Sequence, residues 1–189
     1  MGKSDVIPNA WGIIPARGGS KSIHLKNMAE LCGRPLIDYV ISCARKTPEL
    51  DRIICSTEHP IIAEYCGNRG IEVHPRPEAL AGDEISIADV LVDLFRDLEQ
   101  KGDVLPRCFV LLQPTSPFVI PEHISACVRR LLKDSHASSV QTISNFPHNY
   151  HAYNQRCIED GYVRFRFADE RLSLIHISEP TRPLYISYA

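Results

Sequence analysis

The chain of 189 residues has no CxxC pair, no apolar run near the length of a membrane span, no excess of positive charge, and neither an internal repeat nor a low-complexity linker. Each absence excludes something. Seven cysteines stand at positions 32, 43, 55, 66, 108, 127 and 157, mostly among Ile, Val and Leu, so they read as reduced core thiols and not as zinc ligands or a disulfide frame. A bilayer span needs about 20 apolar residues, and none is present. Met1 to Ala10 carries one Lys and no apolar h-region, which leaves a cytoplasmic setting and no membrane partner as the expectation. A net charge of -2 supplies no general basic field of the kind that attracts nucleic acid, so an anion must be held by a local site, and a small ligand is implied.

What is present is an ordinary globular composition, 44% hydrophobic and 23% charged, arranged as short apolar runs that alternate with segments of helical spacing. Trp11–Ala16, Arg52–Thr57, Ile71–His74, Cys108–Gln113 and Ala137–Ile143 read as strands. Helices are expected over Pro35–Lys46, Pro60–Arg69 with Gly70 as its left-handed cap, Ile85–Leu98 and His123–Leu132. In the third of these, Ile85, Ala88, Val92 and Phe95 mark the apolar side, and Asp89, Asp93 and Asp97 a solvated face. Strands apolar throughout, alternating with helices, predict an α/β fold whose mostly parallel sheet is covered on both faces. Ligands of such sheets bind beyond the carboxyl ends of the strands, where RGGSKS (Arg17–Ser22), STEH (Ser56–His59) and QPTSP (Gln113–Pro117) should gather.

The segment Pro15-Ala16-Arg17-Gly18-Gly19-Ser20-Lys21, continued by Lys26-Asn27, combines glycines, a hydroxyl and three cations directly after a strand. Glycines let backbone N–H groups approach an anion, and Arg and Lys offset its charge, so phosphate is the expected guest. Neither GxxxxGK[ST] nor GxGxxG occurs, which sets the loop apart from Walker and dinucleotide sites. A basic glycine loop is also often a solvated turn. Arg76, on its own, reads as a surface Arg before a Pro-defined turn. Asp83 reads as a cap for the helix that follows. His148 and His151 lack further ligands nearby and suit a sugar-contacting or interface loop better than a metal.

The longer string IIPARGGSKSIHLKN resembles the N-terminal signature of the acylneuraminate cytidylyltransferase family, commonly IPARGGSKxIPxKN, with His24 where that pattern often has Pro. Three further blocks resemble the family in the same order: Cys32-Gly33-Arg34-Pro35-Leu36-Ile37, Arg76-Pro77-Glu78-Ala79-Leu80-Ala81-Gly82-Asp83, and Leu111-Leu112-Gln113-Pro114-Thr115-Ser116-Pro117. Phe146-Pro147-His148-Asn149-Tyr150 falls where the family places substrate-side and dimer-forming structure. The resemblance implies a three-layer Rossmann-like nucleotidyltransferase fold, incomplete at the C-terminus, and a homodimer. It implies transfer of CMP from CTP to the anomeric hydroxyl of a nine-carbon 2-keto sugar acid, an N-acylneuraminate, with release of pyrophosphate. Arg17, Ser20, Lys21 and Lys26 would hold the phosphates, with Arg17 and Lys21 catalytic through charge stabilisation and Mg²⁺ sharing that task. Asn27 would meet the nucleotide near the ribose, Arg76 the base, and Gln113 a ribose or base edge. The family's metal ligands lie toward its C-terminus, so they are unknown here. Pseudaminate, legionaminate or octulosonate synthetases, or a non-catalytic nucleotide-binding protein, are the alternatives. A glycosyltransferase would usually show DxD, which does not occur.

Leu172–Arg182, LSLIHISEPTR, matches at every residue the translation of a transposase adapter used in sequencing libraries, and an index followed by further adapter bases accounts for Pro183–Ala189. The expected organisation is therefore a flexible N-terminus over 1–10, a partial cytidylyltransferase domain over 11–171, and a non-native tail over 172–189. On that reading the chain as written binds nucleotide weakly and does not turn over.

Overall fold

A computed structural model describes residues 10–20, 22–143, 156–160 and 162–165. The N-terminus ahead of Ala10, Lys21, the Phe146–His151 segment and the 172–189 tail lie outside these residues.

The first strand, β1 (Ala10–Pro15, AWGIIP), is apolar throughout because it lies in the middle of a sheet and is covered on both faces. A loop with a one-turn helix at Lys26–Met28 leads to a small antiparallel hairpin, β2 (Glu30–Leu31) and β3 (Arg34–Pro35). Its turn has Cys32 at φ 50° and Gly33 at φ 75°, the left-handed pair that a two-residue hairpin requires. Cys32 is therefore exposed and departs from the core role expected of the thiols, whereas Cys43, Cys55, Cys66 and Cys108 are buried.

Helix α1 (Leu36–Arg45) follows, then β4 (Leu50–Thr57), α2 (Pro60–Asn68) and β5 (Glu72–Pro75). Pro60 opens α2, where its missing N–H costs nothing, and Gly70 at φ 63° closes it. A one-turn helix at Glu78–Leu80 precedes α3 (Ile87–Gln100), β6 (Cys108–Leu111) and α4 (Pro121–Lys133). The main sheet has the order β5-β4-β1-β6, and all three pairings are parallel, with Ile13 opposite both Ile54 and Leu111.

Two apolar clusters make three layers. Helices α1, α2 and α4 cover one face through Ile37, Val40, Ile41, Ile62, Cys66, Ile124 and Val128 against Ile14, Cys55 and Leu112. Helix α3 covers the other through Leu94 and Leu98 against Trp11, Ile13 and Ile54. Phe95 stacks on Phe109 at 3.9 Å between ring centroids, and Trp11 meets that ring edge-on.

Two expectations change. The buried side of α3 is Val90, Leu94 and Leu98, while Val92 is 45% exposed and Ala88 is exposed, so the apolar stripe runs through a neighbouring set of positions. Ala137–Ile143 forms no strand. It buries too little to hold one, with Ile143 70% exposed and polar Ser138, Ser139, Gln141 and Thr142 around it.

The chain divides into two compact units between Val140 and Gln141. In the second, the described residues form an antiparallel pair, β7 (Arg156–Glu159) and β8 (Tyr162–Phe165), in which Ile158 faces Val163. No helix among the described residues is long and apolar enough to cross a membrane.

Candidate functional site

The chain leaves β1 toward β4 and β5 on one side, then returns by way of α3 to β6 on the other, so the direction of strand succession reverses at β1. A crevice opens at such a reversal, beyond the carboxyl ends of the strands. Here it is a cavity of roughly 270 Å³ lined from three strand ends: the loop after β1, the segment after β5, and the turn after β6. Arg17, Ser20, Lys26, Asn27, Arg76 and Gln113 all line it. Six of the seven site residues read from the sequence are thus brought together, and Lys21 lies outside the described residues.

The loop after β1 is tied down by specific contacts. Asn27, 7% exposed, donates from Nδ2 to the Arg17 carbonyl at 2.8 Å, which fixes the loop across its own width. The backbone N–H of Gly18 donates to Glu58 Oε1 at 2.6 Å. A Cβ at Gly18 would run into the His59 side chain, so this close approach of loop and α2 entry requires glycine. Asn27 therefore has a structural task in addition to its place on the cavity wall.

Two expectations about single residues are overturned. Arg76 is not a surface residue: it is 6% exposed, with Nη2 donating to the Ser56 carbonyl at 2.8 Å and Nε to the Ser56 hydroxyl at 3.3 Å. Burial pushes its pKa down, and the nearby Glu58 carboxylate opposes that. Asp83 does not cap α3. Ser86 does, its hydroxyl accepting the Asp89 N–H at 3.2 Å, because it is the residue directly before the first helical turn. Asp83 instead lines the cavity and pairs with Arg17 at 2.6 Å, while Arg17 Nη1 also donates to the Ala81 carbonyl at 3.4 Å. The three aspartates of α3 do not all face solvent either. Asp93 and Asp97 bring carboxylate oxygens to 3.6 and 3.8 Å from His74 Nε2, and His74 is buried.

Sequence reasoning missed the apolar wall of Leu80, Ile85, Ile87 and Val90 and the buried His74 behind Arg76, and it placed Ser56 only as part of the polar STEH segment at the sheet edge. The wall carried a usable signal, since Ile85 precedes the helix and is free to face a ligand. Chemically, the cavity offers cations and a hydroxyl at one side and an apolar surface beside a guanidinium at the other, a combination that fits a phosphorylated nucleoside. Among the described residues no group of three His, Cys, Asp or Glu could hold a metal, and the carboxylate on the cavity wall, Asp83, is already paired with Arg17. The described residues alone do not make a magnesium centre.

Fold and site together define an α/β protein of the nucleotide-handling kind, with its ligand crevice at the strand-order reversal. A sequence profile of the family described as cytidylyltransferase matches residues 11–160, and the chain belongs to that family. It is 40% identical over 114 residues to the N-acylneuraminate cytidylyltransferase of Streptococcus agalactiae serotype III (strain NEM316), an alignment covering 59% of this chain and 26% of that one. N-acylneuraminate cytidylyltransferase A of Danio rerio is 33% identical over 138 residues, 73% of this chain and 30% of that one. The CMP-N,N'-diacetyllegionaminic acid synthase of Legionella pneumophila (strain Philadelphia 1) is 38% identical over 117 residues, 61% of this chain and 50% of that one. The matched region thus spans between 26% and 50% of these relatives. Among solved structures, a CMP:2-keto-3-deoxy-manno-octonic acid synthetase complexed with CTP superposes with a TM-score of 0.58 at 21% identity, covering 68% of this chain and 49% of that one. That likeness shows the fold.

Proposed function

We propose that this chain carries the nucleotide site of a cytidylyltransferase that moves CMP from CTP to the anomeric hydroxyl of a nine-carbon 2-keto sugar acid. The observation that carries the reading is the convergence of Arg17, Ser20, Lys26, Asn27, Arg76 and Gln113, from three strand ends, on one cavity. Relatives described as N-acylneuraminate cytidylyltransferases support the acceptor class.

In this reading the sugar hydroxyl oxygen bonds to the α-phosphorus of CTP and releases its proton to solvent, the bond from that phosphorus to the bridging oxygen breaks, and pyrophosphate leaves with the electron pair. Arg17, Ser20, Lys21 and Lys26 hold the polyphosphate, and Arg17 and Lys21 offset charge on the leaving group. Asn27 fixes the loop and meets the nucleotide, Gln113 meets the ribose or a base edge, and Arg76 directs donors at the cytosine O2 and N3 acceptors. To accept phosphate, Arg17 must exchange Asp83 for the incoming anion. A magnesium ion, when bound with CTP, would share the neutralisation of the triphosphate. Assembly as a homodimer in the cytoplasm belongs to the same reading.

The legionaminic acid synthase relative favours a second acceptor of the same class. The test is pyrophosphate release from CTP and Mg²⁺ with N-acylneuraminate, pseudaminate, legionaminate and octulosonate in turn, with Arg17→Ala as control, alongside calorimetric titration of CTP into the chain. Release with one acid, lost in Arg17→Ala, is the expected result for the complete enzyme. From the complete enzyme, CTP binding without release with any acid points to a binding protein, and absence of CTP binding overturns the proposal.

A further inference from the structure

Arg76 is held from behind by side chains that do not line the cavity. Ser56 and His74 stand opposite one another in the parallel register of β4 and β5. Ser56 is 0% exposed and His74 5%. The Ser56 hydroxyl accepts from Arg76 Nε at 3.3 Å and lies 3.2 Å from His74 Nδ1. A guanidinium N–H only donates, so the serine proton is available to His74, and the tautomer with Nδ1 bare and Nε2 protonated lets Ser56 donate to Nδ1. Nε2 faces the Asp93 and Asp97 carboxylates on α3, which suits a proton on that nitrogen. In that tautomer each member of this chain of contacts has a partner of matching polarity.

We propose that Asp93, Asp97, His74 and Ser56 aim the Arg76 guanidinium at the nucleobase, making Ser56 and His74 positioning residues that determine the preference for cytosine over uracil. The inference rests on the reading of Arg76 as the group that meets the base. A guanidinium is a rigid planar fork, so engaging Nε and Nη2 on Ser56 fixes the plane in which its remaining donors point. Cytosine offers acceptors at both O2 and N3, whereas uracil presents a donor at N3. Only a fixed donor plane separates the two; a mobile guanidinium would turn to satisfy either.

The charges facing His74 are Asp93, Asp97 and Lys101 on α3 and Arg76 beyond β5. Burial lowers its pKa below 6.5, the two aspartates oppose this, and Lys101 and Arg76 add to it. The neutral imidazole is therefore the form held near neutral pH, in keeping with a Ser56 proton donated to Nδ1. Protonation would place a donor on Nδ1 against the serine proton and a second positive charge near Arg76.

The experiment is calorimetric titration of CTP, UTP and inorganic tripolyphosphate into the full chain and into Arg76→Ala, Ser56→Ala, His74→Leu and His74→Asn. Ser56→Ala and His74→Leu are expected to lose about tenfold in CTP affinity and most of the CTP preference, with tripolyphosphate binding unchanged. His74→Asn places an amide oxygen near the Nδ1 position and retains most of both. The ratio of CTP to tripolyphosphate affinity of the unsubstituted chain falls as pH drops below 6.5, and that of His74→Asn falls less. If Arg76→Ala removes the preference while Ser56→Ala and His74→Leu keep it, the positioning role is overturned and base reading by Arg76 stands. If Arg76→Ala keeps the preference, or the unsubstituted chain has none, base reading falls and the inference with it. Should Ser56→Ala lose tripolyphosphate binding as well, its loop has collapsed and the His74→Leu and His74→Asn pair decides.

Discussion

Arg17 faces two anions in turn, and its present partner sets the cost of accepting the second. The Arg17–Asp83 contact of 2.6 Å joins side chains that are each 35% exposed, so it is a screened pair worth about 1 kcal/mol or less. A triphosphate offers several negative oxygens to the same guanidinium and must also tolerate the Asp83 carboxylate in the cavity wall. Asp83→Asn removes that repulsion and releases Arg17, and tripolyphosphate affinity is expected to rise by about two- to fivefold by calorimetry. A fall would show Asp83 helping to hold the anion. At His74 the same scale of reasoning gives a stability prediction. Its pKa is lowered in the fold, so in the window below 6.5 the unfolded chain binds more protons than the native one. The stability that comes from keeping it neutral is full above pH 6.5 and is lost as pH falls toward the lowered folded value. Urea midpoints measured down this window should drop for the unsubstituted chain and drop less for His74→Asn. These residues also show what a sequence reveals of a site. Arg17, Ser20, Lys26 and Asn27 were legible because a glycine-rich basic loop after an apolar strand has few other uses. The pairing of Ser56 with His74 was not, because it arises only through the β4–β5 register, which neither strand encodes alone.

At the scale of elements, α3 separates what periodicity can decide from what packing decides. Apolar residues occur at helical spacing along two adjacent stripes, and the sequence reading chose Ile85, Ala88, Val92 and Phe95. The sheet buries Val90, Leu94 and Leu98, with Leu94 and Leu98 packed against Trp11, Ile13 and Ile54, and of the four expected residues Phe95 joins that cluster by stacking on Phe109. Ile85 was counted into the helix because it precedes an apolar run, yet Ser86 is the cap and frees Ile85 for the cavity wall. The difference is measurable. Leu94→Ala, at a fully buried position, should cost about 2–5 kcal/mol in urea unfolding, while Val92→Ala, 45% exposed, should change stability by about 0.5 kcal/mol or less. Equal costs would restore the other stripe. Strand and helix order, by contrast, followed the sequence closely from Ala10 to Lys133, since each apolar run is too short for a helix and each periodic segment is bounded by Pro, Gly or a hydroxyl cap. Ala137–Ile143 failed as a strand for the opposite reason: its residues suit an extended chain, but local preference without burial does not make a ladder.

For the whole molecule, the strand order places the described lining of the crevice within the first compact unit. The reversal at β1 requires only β4, β5 and β6 as neighbours, and the described residues lining the cavity lie between Pro15 and Thr115, ahead of the unit boundary at Val140. The adapter-like tail from Leu172 should then be irrelevant to nucleotide affinity. A chain ended at Arg171 is expected to bind CTP within about twofold of the 189-residue chain, the range of substitutions remote from a site. Calorimetry on both chains under one buffer checks this. A larger loss would mean that Leu172–Ala189 contributes to the site, which would remove the basis for setting those residues aside. Equal affinity would place nucleotide recognition within residues 1–171.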